Sequence, residues 1–187
     1  MNFKSTKNKL KIVLSVGDES GIGPEVILKA LYSDEMPKNI DFLLVGSKKN
    51  IKKTYLKLRS LGVENLANPD NLQIHDLEIT SSNNESKASY GDSSFYYLTK
   101  AIEIVKQYPN SALVTGPICK KSWSLAGHYF SGQTEILAKS CEVKNVGMLF
   151  TAKSPITGWR FNTLLATTHI ALCEVPKKLN TELIHSK

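Results

Sequence analysis

The chain has 187 residues, 41% of them hydrophobic and 22% charged, the balance of a soluble globular protein of one domain or a little more. Its formal net charge is +7, from 24 basic against 17 acidic residues, and no run approaches the ~18 consecutive apolar residues of a membrane-spanning helix. The basic excess is local, in "MNFKSTKNKLK" and "KKNIKKTYLKLR", where it reads as an N-terminal arm and the wet face of a helix; no aromatic residues interleave with it, so neither a nucleic-acid nor a membrane partner is expected.

In chain order, "LKIVLSVG" (10–17) is a β-branched strand leading into a glycine-rich turn, and Pro24 suits the first turn of the helix "PEVILKAL". "DFLLVG" (41–46) is the next strand. Ile51, Tyr55 and Leu58 then recur at helical spacing, with Gly62 as the stop. "LQIHDL" (72–77) is a weaker strand, and the polar stretch 80–90 reads as a loop. After Gly91-Asp92-Ser93, the residues Phe95, Leu98, Ile102 and Val105 form one apolar helix stripe. "SALVTG" (111–116), "VGMLF" (146–150) and "NTLLATT" (162–168) are three further strands, and Pro117 and Gly132-Gln133-Thr134 each introduce a helix. Pro176, Leu179 and Leu183 read as the opening of an amphipathic helix, which gives the end of the chain the look of an unfinished structural unit. Strands alternating with helices predict an α/β fold with a largely parallel sheet, in which ligands gather beyond the carboxyl ends of the strands. Three polar turns are expected there and are expected to meet.

Each turn admits a functional and a structural reading. "GDESGIGPE" (17–25) offers backbone N–H groups to an anion or is a tight turn; it matches neither GxGxxG nor GxxxxGK[ST]. Lys120 and Lys121 in "TGPICKKSW" either face an anionic ligand or reach into water. In "GQTE", Thr134 suits an N-cap and Glu135 a first turn, leaving Gln133 to donate to a ligand or do no more than help cap the helix. His169 stands at a strand end, where it can ligate a metal or move protons, but His75, His128 and His185 show no ligand spacing with it. Cys119, Cys141 and Cys173 are odd in number and lack CxxC spacing, which suggests no disulfide framework and a reducing, cytoplasmic setting.

Together, "GDESGIGPEVILKAL", "TGPICKKSW", "AGHYFSGQTEILA" and "LLATTHIALCEVP" resemble, in order and spacing, the 4-hydroxythreonine-4-phosphate dehydrogenase family of pyridoxine biosynthesis, from about Lys11 to the end of the chain. The resemblance implies an isocitrate/isopropylmalate dehydrogenase-like fold whose second half is incomplete here. It also implies a homodimer with the active site at its interface. The reaction implied is oxidation of the small phosphorylated hydroxy-amino acid 4-phosphooxy-threonine by NAD or NADP, followed by loss of carbon dioxide to give 3-amino-2-oxopropyl phosphate. A divalent metal (Zn, Mg or Co) held by three histidines would bind the substrate. Matched residue by residue, His169 is the first metal ligand and Thr134 a substrate-binding threonine, while Gln133 stands where the family usually has histidine and keeps hydrogen bonding without a titratable proton. Glu19-Ser20 replaces the usual Pro-Ala, and Cys119 the usual asparagine. The remaining metal histidines and substrate-binding residues would follow Lys187, so the chain alone is expected to lack dehydrogenase activity. Two alternatives stay open: a dehydrogenase of 4-phospho-threonate or 4-phospho-erythronate, and a truncated non-catalytic anion-binding remnant.

Overall fold

A computed structural model of the chain describes residues 9–78, 86–168 and 170–187. The chain divides into two compact units, Met1–Ser131 and Gly132–Lys187.

The first unit is built on a four-stranded parallel sheet. Strands β1 (Leu10–Ser15), β2 (Ile40–Gly46), β3 (Ile74–Asp76) and β4 (Ser111–Thr115) lie in the order β3-β2-β1-β4. Leu10 pairs with Ile40 and Ser15 with Val45 on one side of β1, and Lys11 pairs with Ser111 on the other. The winding reverses at β1, with β2 on one side and β4 on the other, so the carboxyl ends of β1 and β4 mark the switch point at which open α/β sheets form their ligand crevice.

Local chemistry explains the flanking helices. Helix α1 (Gly23–Tyr32) has Pro24 in its first turn, where a missing N–H costs nothing, and Glu25 there accepts from Lys29 at 2.6 Å. Helix α2 (Lys48–Ser60) is capped by Ser47, whose hydroxyl accepts from the Asn50 N–H at 3.2 Å; beyond its end Gly62 takes the left-handed φ of +82°. Ile51 and Leu58 of α2 are buried, while Lys49, Lys53 and Lys57 are exposed.

Helix α3 (Lys87–Gln107) starts earlier than the polar stretch 80–90 suggested. Ser86 and Ser89 form a reciprocal capping box, which lets a run without apolar signal become the first turn. Of the predicted stripe Leu98 and Ile102 are buried, and Tyr97 and Ala101 join them. The core packs α3 and α1 against the sheet through Val13, Leu28, Leu44, Val45, Tyr97 and Ala101. Helix α4 (Lys120–Leu125) touches α3 backbone to backbone: a Cβ on Gly91 would lie 2.0 Å from the Ser122 carbonyl oxygen. Trp123 is fully buried there and donates its indole N–H to Ser94 Oγ at 2.7 Å.

The second unit corrects the expected topology. Strands β5 (Met148–Lys153) and β6 (Arg160–Leu165) do not extend the parallel sheet; they form a separate antiparallel hairpin, with Met148 opposite Leu165 and Lys153 opposite Arg160. The connection from Ser154 to Trp159 is too short for a parallel crossover, which needs about a dozen residues. Helix α5 (Gln133–Ser140) precedes the hairpin. The amphipathic helix expected from Pro176 onward is two short ones, α6 (Val175–Lys178) and α7 (Thr181–His185). They break because Asn180 takes extended backbone and caps α7, its Oδ1 accepting from the Leu183 N–H at 2.8 Å. Among the described residues no helix is long and apolar enough to cross a membrane.

Candidate functional site

In the first unit the β1 and β4 loops meet over the crevice. Gly116 N–H donates to the Ser15 carbonyl at 2.8 Å and Asp18 N–H to the Pro117 carbonyl at 2.9 Å. Gly17, at φ +77°, has no room for a side chain, since a Cβ would sit 2.3 Å from the Pro117 oxygen; on Gly116 it would sit 2.4 Å from the Val16 oxygen. The crevice floor is therefore bare main chain.

The anion reading of "GDESGIGPE" loses ground to the tight-turn reading. Asp18 is buried, and its Oδ1 accepts from the Ser20 N–H at 2.9 Å and the Ser20 hydroxyl at 2.6 Å, while its carbonyl accepts from Gly21 N–H at 3.1 Å. The loop thus supplies its own anion to N–H groups that a ligand would otherwise use. Lys120 and Lys121, in the first turn of α4, are exposed.

Glu19 is a functional-looking residue that sequence reasoning passed over. Its Oε1 accepts from the Tyr97 hydroxyl at 2.8 Å and from the Ser47 N–H at 3.4 Å, and its Oε2 accepts from the Asn50 amide. Burial, opposed by these donors, holds the Glu19 carboxyl above the ordinary range. Burial and the adjacent carboxylate push the Tyr97 phenol far above its usual value, so it remains a donor. The network joins the β1 loop to α2 and α3; Glu19 and Tyr97 stand 78 positions apart, so local spacing carries no signal of it. Asp92 and His128 pair in the same way across 36 positions, at 2.8 Å, with the imidazole stacked on Phe95 at 3.8 Å between centroids. Cys119 precedes α4; the Ser122 hydroxyl and the Ser122 N–H, ahead of smaller influences, hold its thiol below the ordinary range.

In the second unit, Gln133 opens α5 and is half-buried, and Thr134 follows it. The N-cap is Gly132, in extended backbone, and not Thr134; the cap has no side chain, so Thr134 sits within the first turn and is exposed. Thr134 and Thr168 line one cavity of about 340 Å³ with Glu135, Ala138, Lys144, Val146, Gly147 and Met148. That volume suits one small molecule. Thr168 follows the antiparallel β6, not a strand of the parallel sheet as expected. His169, the next residue, lies outside the described residues. Among the described residues no three His, Cys, Asp or Glu side chains converge to hold a metal ion.

The sequence profile of the family described as pyridoxal phosphate biosynthetic protein PdxA matches residues 38–187. A 4-hydroxythreonine-4-phosphate dehydrogenase of Synechococcus sp. (strain RCC307) is 43% identical over 95% of this chain and 54% of the relative, and one of Nostoc sp. is 40% identical over 97% and 52%. The chain thus spans about half the length of the curated relatives it matches. Crystal structures of the dehydrogenases so named from Klebsiella pneumoniae and Burkholderia phymatum superpose with a TM-score of 0.76 each, at 23% and 22% identity, over 97% and 94% of this chain and 56% and 55% of theirs, which shows a shared fold.

Proposed function

The chain belongs to the PdxA family of pyridoxal phosphate biosynthesis, and on that premise we propose that it is the N-terminal portion of a two-domain NAD(P)-dependent dehydrogenase acting on 4-phosphooxy-L-threonine. The reaction moves a hydride from the substrate C3 to the nicotinamide and releases the hydroxyl proton; the resulting β-keto acid loses carbon dioxide to give 3-amino-2-oxopropyl phosphate. The observation that carries this reading is the cavity of about 340 Å³ in which Thr134 and Thr168 share one wall system, sized for a single small substrate.

Thr134 donates its hydroxyl to the substrate, and Gln133, beside it in the first turn of α5, supplies a neutral amide where the family resemblance implies an imidazole. His169, next to the cavity-lining Thr168, is the residue this chain would contribute to a divalent metal site. When bound, such an ion would polarise the substrate hydroxyl. The active protein is a homodimer completed by the partner, in a cytoplasmic setting. A second reading is favoured by Gln133: a related oxidation of 4-phospho-threonate or 4-phospho-erythronate, because a neutral amide alters the charge presented to the substrate.

The test is a substrate panel with the complete protein that carries this chain, following formation of reduced nicotinamide with NAD and NADP in turn. Preferential turnover of 4-phosphooxy-L-threonine supports the leading reading. Preference for 4-phospho-threonate or 4-phospho-erythronate selects the second. Turnover of none of them, by a folded protein supplied with a divalent metal, refutes both. Thr134→Ala should raise KM about tenfold or more, the worth of one hydrogen bond to a charged ligand.

A further inference from the structure

Two charges of opposite sign stand in the wall of the same cavity, and neither belongs to the residues so far given a role. Glu135 brings a carboxylate from the first turn of α5, and Lys144 brings an ammonium from the segment leading into β5. The two hydroxyls, Thr134 and Thr168, complete the polar lining. Gly147 adds only main chain to the lining.

A ligand that carries only oxyanions would meet attraction at Lys144 and repulsion at Glu135. One that carries only an ammonium would meet the reverse. A small zwitterionic phosphate satisfies both, since each charge finds an opposite partner in a cavity that holds a single molecule. We propose that Glu135 and Lys144 are a charge-reading pair: Lys144 takes an oxyanion of the substrate, and Glu135 takes its ammonium and so separates a phosphorylated amino acid from the hydroxy acid of the same shape. This inference rests on the dehydrogenase reading and decides between its two substrate classes. The discrimination lies in the ligand group that faces Glu135, because a hydroxyl in place of the ammonium offers the carboxylate a weaker, uncharged donor.

The experiment has a kinetic arm and a binding arm, both on the complete protein. In the first, kcat/KM is measured for 4-phosphooxy-L-threonine and for 4-phospho-threonate. Glu135→Gln is expected to reduce the preference for the amino substrate by about ten- to a hundredfold, through KM more than kcat. Lys144→Met is expected to raise KM for both substrates at least tenfold and Lys144→Arg to restore most of it. In the second arm, O-phosphoserine and 3-phosphoglycerate are titrated directly; they differ in the ammonium and share phosphate and carboxylate. The parent should favour phosphoserine, Glu135→Gln should erase that preference, and Lys144→Met should weaken both. A Glu135→Gln preference within twofold of the parent in both arms overturns the role of Glu135. Unchanged binding in Lys144→Met overturns that of Lys144. Parent protein that turns over neither substrate but keeps the binding preference refutes the dehydrogenase reading and leaves the pair standing. Glu135 and Lys144 are both exposed, so the variants should fold, which circular dichroism will verify.

Discussion

Replacing Glu19 by alanine is expected to destabilise the protein by about 2–4 kcal/mol. The figure follows from the donors left behind, at about 1–3 kcal/mol for each buried group without a partner. Tyr97 is 1% exposed, and without Glu19 its hydroxyl, now 2.8 Å from Oε1, keeps Ser93 and Ser47 beside it but loses its carboxylate acceptor, which is the larger share of the cost. The Asn50 amide is half-buried and can turn toward water, so it adds the smaller share, and the 3.4 Å contact from Ser47 N–H adds little. Glu19→Gln is the informative partner. Its carbonyl still accepts from Tyr97, and Asn50 can turn its own oxygen toward the new amide nitrogen, so the cost should stay near or below about 1 kcal/mol.

The two variants also separate the charge from the hydrogen bonds. The folded-state pKa of Glu19 is raised above the ordinary 4.5, so the folded protein binds this proton more tightly than the unfolded chain does. Its contribution to stability is fully present below 4.5 and falls away as pH rises through the raised folded value. The parent should therefore lose stability from this site over that window, and Glu19→Gln should not. Urea unfolding of the parent and both variants, at a series of pH values from about 4 to 8, measures both effects. Glu19→Ala within about 0.5 kcal/mol of the parent, or Glu19→Gln with the parent's pH slope across the window, would refute the reasoning.

Two further outcomes test other parts of the first unit. Gly91→Ala sets a Cβ 2.0 Å from the Ser122 backbone oxygen and should cost about 3 kcal/mol or more; Gly62→Ala, with nothing within 4 Å and only a left-handed φ to maintain, should cost about 1 kcal/mol, so equal losses in urea unfolding would contradict the close contact of α3 and α4. Cys119 should alkylate with a pH midpoint below the ordinary thiol range, followed by peptide mass mapping, and Ser122→Ala should move that midpoint upward; no movement would remove Ser122 as the cause.

The strands and helices of the first unit were legible because their signals are local. The β-branched run 10–15, Pro24 in the first turn and Gly62 beyond α2 each declare themselves within a few residues. The start of α3 was hidden because serine at 86 and 89 reads as loop until the two side chains are seen to bond each other's backbone. The hairpin was missed in topology, not in existence: apolar runs mark strands, while pairing direction depends on the length of the link between them. In the candidate site, Gln133 and Thr134 were expected from a contiguous motif, whereas Thr168 was read only as the end of a strand and enters through the cavity it lines. Glu135 was read as a helix-start residue and Lys144 not at all, since a charge gains its meaning here from sharing a cavity with an opposite one across the fold. Glu19 is the clearest limit, as its partners Asn50 and Tyr97 come from separate helices.

The bare main-chain floor where Gly17 and Gly116 approach the opposing backbone has a consequence for how the protein can change. A floor made of peptide groups has the same shape whatever side chains rise from its edges. Evolution can then vary the rim while the base stays put, provided the two glycines are kept. Three of the departures from the family resemblance, Glu19, Ser20 and Cys119, fall in the loops that carry that rim. Glu19 is held by two donors, Tyr97 and Asn50, so this edge is fixed by side chains from α2 and α3 as well as by the backbone beneath. For an engineer the crevice is accordingly a mounting plate: Ser20 and Cys119 are positions to redecorate, and Gly17 and Gly116 are the bolts.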